Sequence, residues 1–267
     1  MPEGEMKEVN ADKLGAQQRI ASVGDDHECF LSKFKDLVHG GGTKPSKQSA
    51  AHPFLTTKTS SGGGSIYVRV YEDRIDLLRA AIVGPSGTPY HDGLFFFDVR
   101  FPPEYPRCPP KVYYHSGGLR LNPNLYERGK VCLSLLNTWW GSGCEKWSKS
   151  NSIMLQVLIS IQGLVLNDKP YFNEPCYKNT INTPLGEKHS MAYNQTAFVL
   201  SCKTMLYSLR KPPKHFETLV VHHFHERERA ILESCSAYAS GIVVGSLVRD
   251  GAKYALRQVL CRLQEVP

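Results

Sequence analysis

Arg120-Leu-Asn-Pro-Asn-Leu-Tyr-Glu-Arg-Gly-Lys-Val-Cys132-Leu-Ser-Leu-Leu-Asn-Thr-Trp139 is the segment on which the reading of this 267-residue chain turns. An Asn-Pro-Asn turn stands eight residues before a cysteine, counted from Asn124 to Cys132. Taken alone, it admits two readings. One is a proline turn leading into an apolar strand whose cysteine is a small buried hydrophobe. The other is an accessible nucleophile, because the polar, glycine-containing stretch Tyr126 to Lys130 comes directly before the thiol. A thiol nucleophile needs access and thiolate character, and Lys130 supplies a cation close in sequence.

The rest of the composition narrows the field. Eight cysteines lie scattered at 29, 108, 132, 144, 176, 202, 235 and 261, with no two at C-x-x-C spacing, so neither a zinc site nor a disulfide framework is expected. Hydrophobic residues at 41% and charged residues at 21% are those of an ordinary globular chain. The longest apolar candidate for a membrane span, Gly241 to Val248, falls far short of the roughly 20 residues required. The N-terminus lacks a signal-peptide pattern, which gives an expectation of cytoplasmic or nuclear residence. A net charge of +7 comes without a basic run or interleaved aromatic residues, so nucleic acid is not expected as a partner.

Outward from the quoted segment, the chain reads as strands followed by helices. Residues 1–63 are rich in Gly, Ser, Thr and Lys and are expected to be largely disordered. Phe30, Phe34, Leu37 and Val38 fall at helical spacing there, and read as a nascent helix with nothing to pack on. Ile66 to Tyr71, Leu77 to Val83, Leu94 to Val99 and Lys111 to His115 are β-branched and aromatic runs separated by turn signals. They predict a four-stranded antiparallel meander. Helices are predicted over 153–165, 187–210 and 216–238, with Pro212-Pro213 stopping the second. The fold class is therefore α+β, with a core over 64–213 and a helical C-terminal extension over 214–267.

Several landmarks, in order and spacing, give this chain a resemblance to the ubiquitin-conjugating enzymes. Phe101-Pro-Pro-Glu-Tyr-Pro-Arg-Cys-Pro-Pro110 is similar to the family's proline-rich loop after the third strand. Asn122-Pro123-Asn124 resembles its His-Pro-Asn motif, at the family's distance from the cysteine. Trp147, the apolar helix after it and Asn173-Glu174-Pro175 resemble the later pattern. Asn in place of His at 122, an insert over about Trp140 to Lys146, and Pro170-Tyr-Phe-Asn-Glu-Pro175 look like the large insert-bearing subgroup. That subgroup includes hybrid conjugating/ligating proteins and plant phosphate regulators. Tyr90-His-Asp-Gly-Leu-Phe-Phe-Phe97 and Pro212-Pro-Lys-His-Phe216 point to its plant members.

The resemblance implies roles for particular residues. Cys132 would carry ubiquitin as a thioester and pass it to a substrate lysine. Asn124 would donate to the developing oxyanion or stiffen the loop beside it. Glu174, with Asn173 as the alternative, would orient or deprotonate the incoming amine. Asn122 is expected to be structural. Implied partners are ubiquitin, the ubiquitin-activating enzyme, substrate proteins and ubiquitin ligases, and no cofactor is required. His222, His223 and His225 invite a metal reading, but no third ligand is visible beside 222 and 225, and none is expected. Trp139, Trp140 and Trp147 are expected to be packing residues.

The chain also departs from the pattern. The family's amphipathic helix before the first strand would fall on Ala50 to Gly64, where Pro53 and the Thr, Ser and Gly residues forbid it. Either that helix is missing, the favoured expectation, or the Phe30 to Val38 segment folds back. A missing helix would leave a non-catalytic ubiquitin-pathway scaffold as the alternative. Arg107 and Ser148-Lys149-Ser150 replace the apolar contacts that many relatives offer to ligases.

Overall fold

The computed structural model describes residues 23–40, 55–58, 65–71, 73–250 and 253–256. The N-terminal stretches 1–22, 41–54 and 59–64, on which most of the expected disorder falls, lie outside the described residues. The sheet has strands β1 (Leu55–Lys58), β2 (Ser65–Tyr71), β3 (Arg74–Val83), β4 (Leu94–Arg100) and β5 (Lys111–Tyr114). They run in that order, each antiparallel to the next. The four strands of the meander are present, and β1 adds an edge strand before them.

A run such as Leu94-Phe-Phe-Phe97 buries every side chain, which requires both faces of β4 to be covered. Alternation along the pleat divides the core accordingly. Ala80, Ile82, Phe95 and Phe97 face one cluster, which also holds Leu121, Leu125, Val131 and Leu133 from the quoted segment. Ala81, Val83, Leu94 and Phe96 face the second. The turn between β3 and β4 fixes Gly84: a Cβ there would sit 1.8 Å from the Tyr90 carbonyl oxygen.

Helices close each face. On the first lies α2 (Met154–Ser160), which continues into a π-helical turn at Ile161–Val165 and buries Val157, Leu158, Ile161 and Val165. On the second lie α1 (Val23–Gly40), α3 (Pro184–Arg210) and α4 (Glu217–Ala239). α3 starts where Pro184 takes the first helical position and Thr183 caps it, its hydroxyl accepting from the Gly186 N–H at 3.1 Å. None of these helices, among the described residues, is long and apolar enough to cross a membrane.

Two expectations need correction. The helix with nothing to pack on is α1, and it does pack: Phe34 is wholly buried, edge-on to Phe224 of α4 at 5.9 Å and stacked on Phe30 at 5.5 Å. A helix therefore stands N-terminal to the strands after all, supplied by the segment that folds back. Its apolar stripe is satisfied by a groove built from residues about 190 positions away, which no local pattern can announce. The second concerns the C-terminal region. After α4 the chain forms a hairpin, β6 (Leu247–Asp250) paired with β7 (Lys253–Leu256), where only helix was expected.

Candidate active site

The Asn-Pro-Asn turn is built into the first core cluster. Asn122 is fully buried and satisfied on every side. Its Nδ2 donates to Tyr90 Oη at 2.9 Å and to the Val165 carbonyl at 2.6 Å, while its Oδ1 accepts from the Asn124 backbone N–H at 2.8 Å. Asn173 Nδ2 donates to the same Val165 carbonyl at 3.1 Å, and Asn173 Oδ1 accepts from Asn167 at 2.6 Å. These amides satisfy a carbonyl at the end of the π-helical turn that has no partner within its own helix. Asn122 is thus structural, as the sequence predicts. Asn173 is committed to the same network.

Two hydrogen bonds tie Asn124 to Cys132. The Cys132 N–H donates to the Asn124 carbonyl at 2.8 Å, and Asn124 Nδ2 donates to the Cys132 carbonyl at 2.9 Å. Only the amide nitrogen can donate to a carbonyl, so the orientation of the side chain is settled by its acceptor. Its Oδ1 is buried without a partner. Between them the chain turns through Gly129, at φ 84°, where a Cβ would collide with the Tyr113 ring. Downstream, Thr138 Oγ1 donates to the Val131 carbonyl at 2.7 Å and accepts from the Leu133 N–H at 3.0 Å, pinning both sides of Cys132.

Cys132 is 1% exposed, which agrees with the buried one of the two readings that the sequence leaves open. Val131 and Leu133 bury themselves in the core on either side and draw the cysteine backbone in with them. The residue nonetheless lines an open cleft of about 390 Å³, walled by Tyr126, Lys130, Thr138, Trp139, Trp140 and Lys146. Burial pushes the thiol above its ordinary range; Lys130, Arg120 and a hydrogen bond from Tyr126 pull it back without overcoming that, and Glu174 adds to the rise. At neutral pH the resting group is therefore the protonated thiol. Tyr126 is flanked by the Arg120 guanidinium at 4.4 Å and the Lys130 ammonium at 5.6 Å from its ring centre.

Glu174 sits half-buried between the turns Pro170–Asn173 and Pro175–Thr180, within electrostatic reach of the thiol. All three predicted site residues, Cys132, Asn124 and Glu174, are brought into one neighbourhood. Tyr126 and Arg120 join them, and sequence reasoning passed over both, because a tyrosine and an arginine in a polar loop carry no spacing signal. Trp147 packs as expected: its Nε1 donates to the Pro106 carbonyl at 2.8 Å, and Tyr105 lies against its ring at 5.7 Å, fastening the proline-rich loop. Trp140 does not pack. It is 88% exposed on the rim of the cleft, because the insert is too short and polar to give it a core.

Elsewhere, His39, His225 and Glu228 have donor atoms within 4.8 Å of one another and are the cluster among the described residues suited to a metal ion. Of the pair 222 and 225 only His225 belongs to it; Glu228 of α4 and His39 of α1 are the other two members. His222 instead faces Glu226 at 3.4 Å, and His223 is buried against the Asp92 carbonyl.

Residues 55–200 match the family model described as ubiquitin-conjugating enzyme. The chain is 61% identical over 187 residues to a probable ubiquitin-conjugating enzyme E2 23 of Arabidopsis thaliana, an alignment that spans 70% of this chain and 17% of that protein. It is 58% identical over 189 residues to a putative ubiquitin-conjugating enzyme E2 38 of the same plant, spanning 71% of this chain and 58% of the relative. A human dual E2 ubiquitin-conjugating enzyme/E3 ubiquitin-protein ligase, BIRC6, is 41% identical over 220 residues, 80% of this chain and 4% of its own. The chain therefore corresponds to only part of the length of each of these relatives.

Proposed function

Because this chain belongs to the ubiquitin-conjugating enzyme family, we propose that it accepts ubiquitin as a thioester on Cys132 and transfers it to a substrate lysine. The catalytic core is assigned to residues 64–213 and a further extension to 214–267. In the first step the Cys132 thiolate attacks the thioester carbonyl held by the ubiquitin-activating enzyme, whose own thiol leaves. In the second, an uncharged lysine amine attacks the new thioester, an amide forms, and the Cys132 thiolate departs and regains a proton. ATP is consumed by the activating enzyme, so the chain itself needs no cofactor.

The observation that carries this reading is the placement of Cys132 in the cleft wall, with its backbone fixed at both polar groups by Asn124. A nucleophile held in one geometry loses little entropy on reaching its transition state. Glu174 is assigned to the incoming amine, which it orients and relieves of a proton. Asn124 is assigned first to supporting the loop, because its amide is engaged with Cys132 itself. Lys130 and Arg120 oppose the rise that burial imposes on the thiol, and so favour the thiolate that acts as nucleophile and leaving group.

Ubiquitin, the activating enzyme, substrate proteins and ubiquitin ligases are the partners of this reading, with residence in the cytoplasm or nucleus. The ligase-facing positions are polar and exposed at Arg107 and Lys149, whereas Trp140 stands exposed beside the cleft. The insert is therefore assigned to direct substrate contact, in keeping with the dual conjugating/ligating relative. A non-catalytic scaffold rested on the missing first helix, and α1 removes that support.

The test is incubation with activating enzyme, ubiquitin and ATP, followed by a non-reducing gel. A thiol-sensitive band one ubiquitin heavier, absent in Cys132→Ala, is expected, and Cys132→Ser should trap a hydroxide-sensitive oxyester. Absence of any such band at every enzyme concentration overturns the proposal.

A further inference from the structure

Helix α1 and helix α4 come together through Phe34 and Phe224, and this packing carries three metal-ligating side chains to one point on the molecule's surface. His39, in the last turn of α1, has its Nε2 at 2.9 Å from the Glu228 carboxylate. His225 stands one helical turn from Glu228 on α4, its ring perpendicular to that of His39 with centroids 6.0 Å apart. The His39 side chain is 60% exposed and that of Glu228 17%. As an ion pair at such a surface, His39 and Glu228 contribute little to stability.

From these residues we infer a zinc site formed by His39, His225 and Glu228, which fastens α1 to α4. Two neutral imidazoles and one carboxylate form a donor set that suits Zn²⁺ and other late divalent transition metals and is poor for Mg²⁺ or Ca²⁺, which want oxygen alone. Tetrahedral zinc at about 2.0–2.1 Å from each ligand brings donor atoms to about 3.4 Å apart. The present limit of 4.8 Å is closed to that by side-chain rotation, for which the exposed His39 and His225 have room. Water takes the fourth position. The metal displaces the hydrogen bond from His39 to Glu228, and each imidazole must be unprotonated to bind, so acid opposes it. The site lies with the cluster on the far face of the sheet from Cys132, and so acts on the docking of α1 rather than on the thiol.

The experiment uses the full chain stripped with a chelator. Zinc is titrated by calorimetry and by competition with a chromophoric chelator, with magnesium as comparison, and amide exchange is followed across 30–39. Expected are one zinc per chain, no magnesium binding, and slowing of exchange in α1 by about tenfold at zinc ten times its dissociation constant, as linkage requires. His225→Ala and Glu228→Gln should abolish both effects while the metal-free variants unfold at the parent's midpoint; Cys132→Ser should keep both. No stoichiometric zinc, zinc retained by both α4 variants, zinc lost with Cys132→Ser, or bound zinc that leaves α1 exchange unchanged each overturns the inference.

Discussion

Replacing Asn124 by alanine tests whether its amide holds the Cys132 loop. The bond from Nδ2 to the Cys132 carbonyl is 2.9 Å long, and both residues are buried. Breaking a buried bond and leaving the carbonyl without its donor costs about 1–3 kcal/mol. The same truncation removes Asn124 Oδ1, a buried acceptor that has no partner, and this recovers part of the loss. The expected net destabilisation is about 1–2 kcal/mol, a fall of roughly 2–8 °C in unfolding midpoint for a domain of this size. Urea unfolding of the Asn124→Ala chain measures it. Asn124→Asp sharpens the test, because it places a second acceptor against the Cys132 carbonyl and a charge in a site 6% exposed. Burial raises that carboxyl above its unfolded value, so the variant is penalised as pH rises from about 4 towards 7 and recovers in acid. An Asn124→Ala chain within about 0.5 kcal/mol of the parent, with an Asp variant whose deficit does not depend on pH, refutes the loop-support argument.

The cleft and the core supply further expectations. Burial sets the Cys132 thiol high and Lys130 lowers it, so Lys130→Glu should slow iodoacetamide alkylation at pH 7 by about two- to fivefold. Its pH profile should move to higher pH, and the difference should shrink in high salt; identical profiles would remove Lys130 from the account. Asp98 is partly buried, which opposes its ionisation, yet hydrogen bonds from His115 and Arg79 outweigh this and hold its carboxyl below the ordinary range. A depressed carboxyl contributes stability above its unfolded value, about pH 4, and loses it as pH falls, so Asp98→Asn should lower stability at pH 7 and flatten the acid limb of an unfolding curve. Phe34→Ala should cost up to about 3–5 kcal/mol, capped by the free energy that docks α1. If urea unfolding and amide exchange over 30–39 are both unchanged, the packing of α1 is wrong.

Legibility from sequence followed the range of the interactions. Strands β2 to β5 and helices α2 to α4 were readable, because alternation along a pleat and periodicity along a helix are local consequences of burying one face. The Asn122-Pro-Asn124 turn and its eight-residue distance to Cys132 stand in the sequence itself, whereas Glu174 was suggested only by the family resemblance. The fate of α1 was not readable: Phe34 declares an apolar stripe, but its groove is made by Phe224 and its neighbours in α4. The same holds for His39, whose partners His225 and Glu228 are remote in the chain.

For Cys132, the sequence by itself determined the nucleophile's candidate, its distance from Asn124 and the polar turn that precedes it. Only the tertiary structure decided that the residue is buried, that its thiol is raised, and that Asn124 is spent on its carbonyl. The physical reason is that spacing is a property of the chain, whereas desolvation and hydrogen-bond choice depend on which distant groups are packed around the atom.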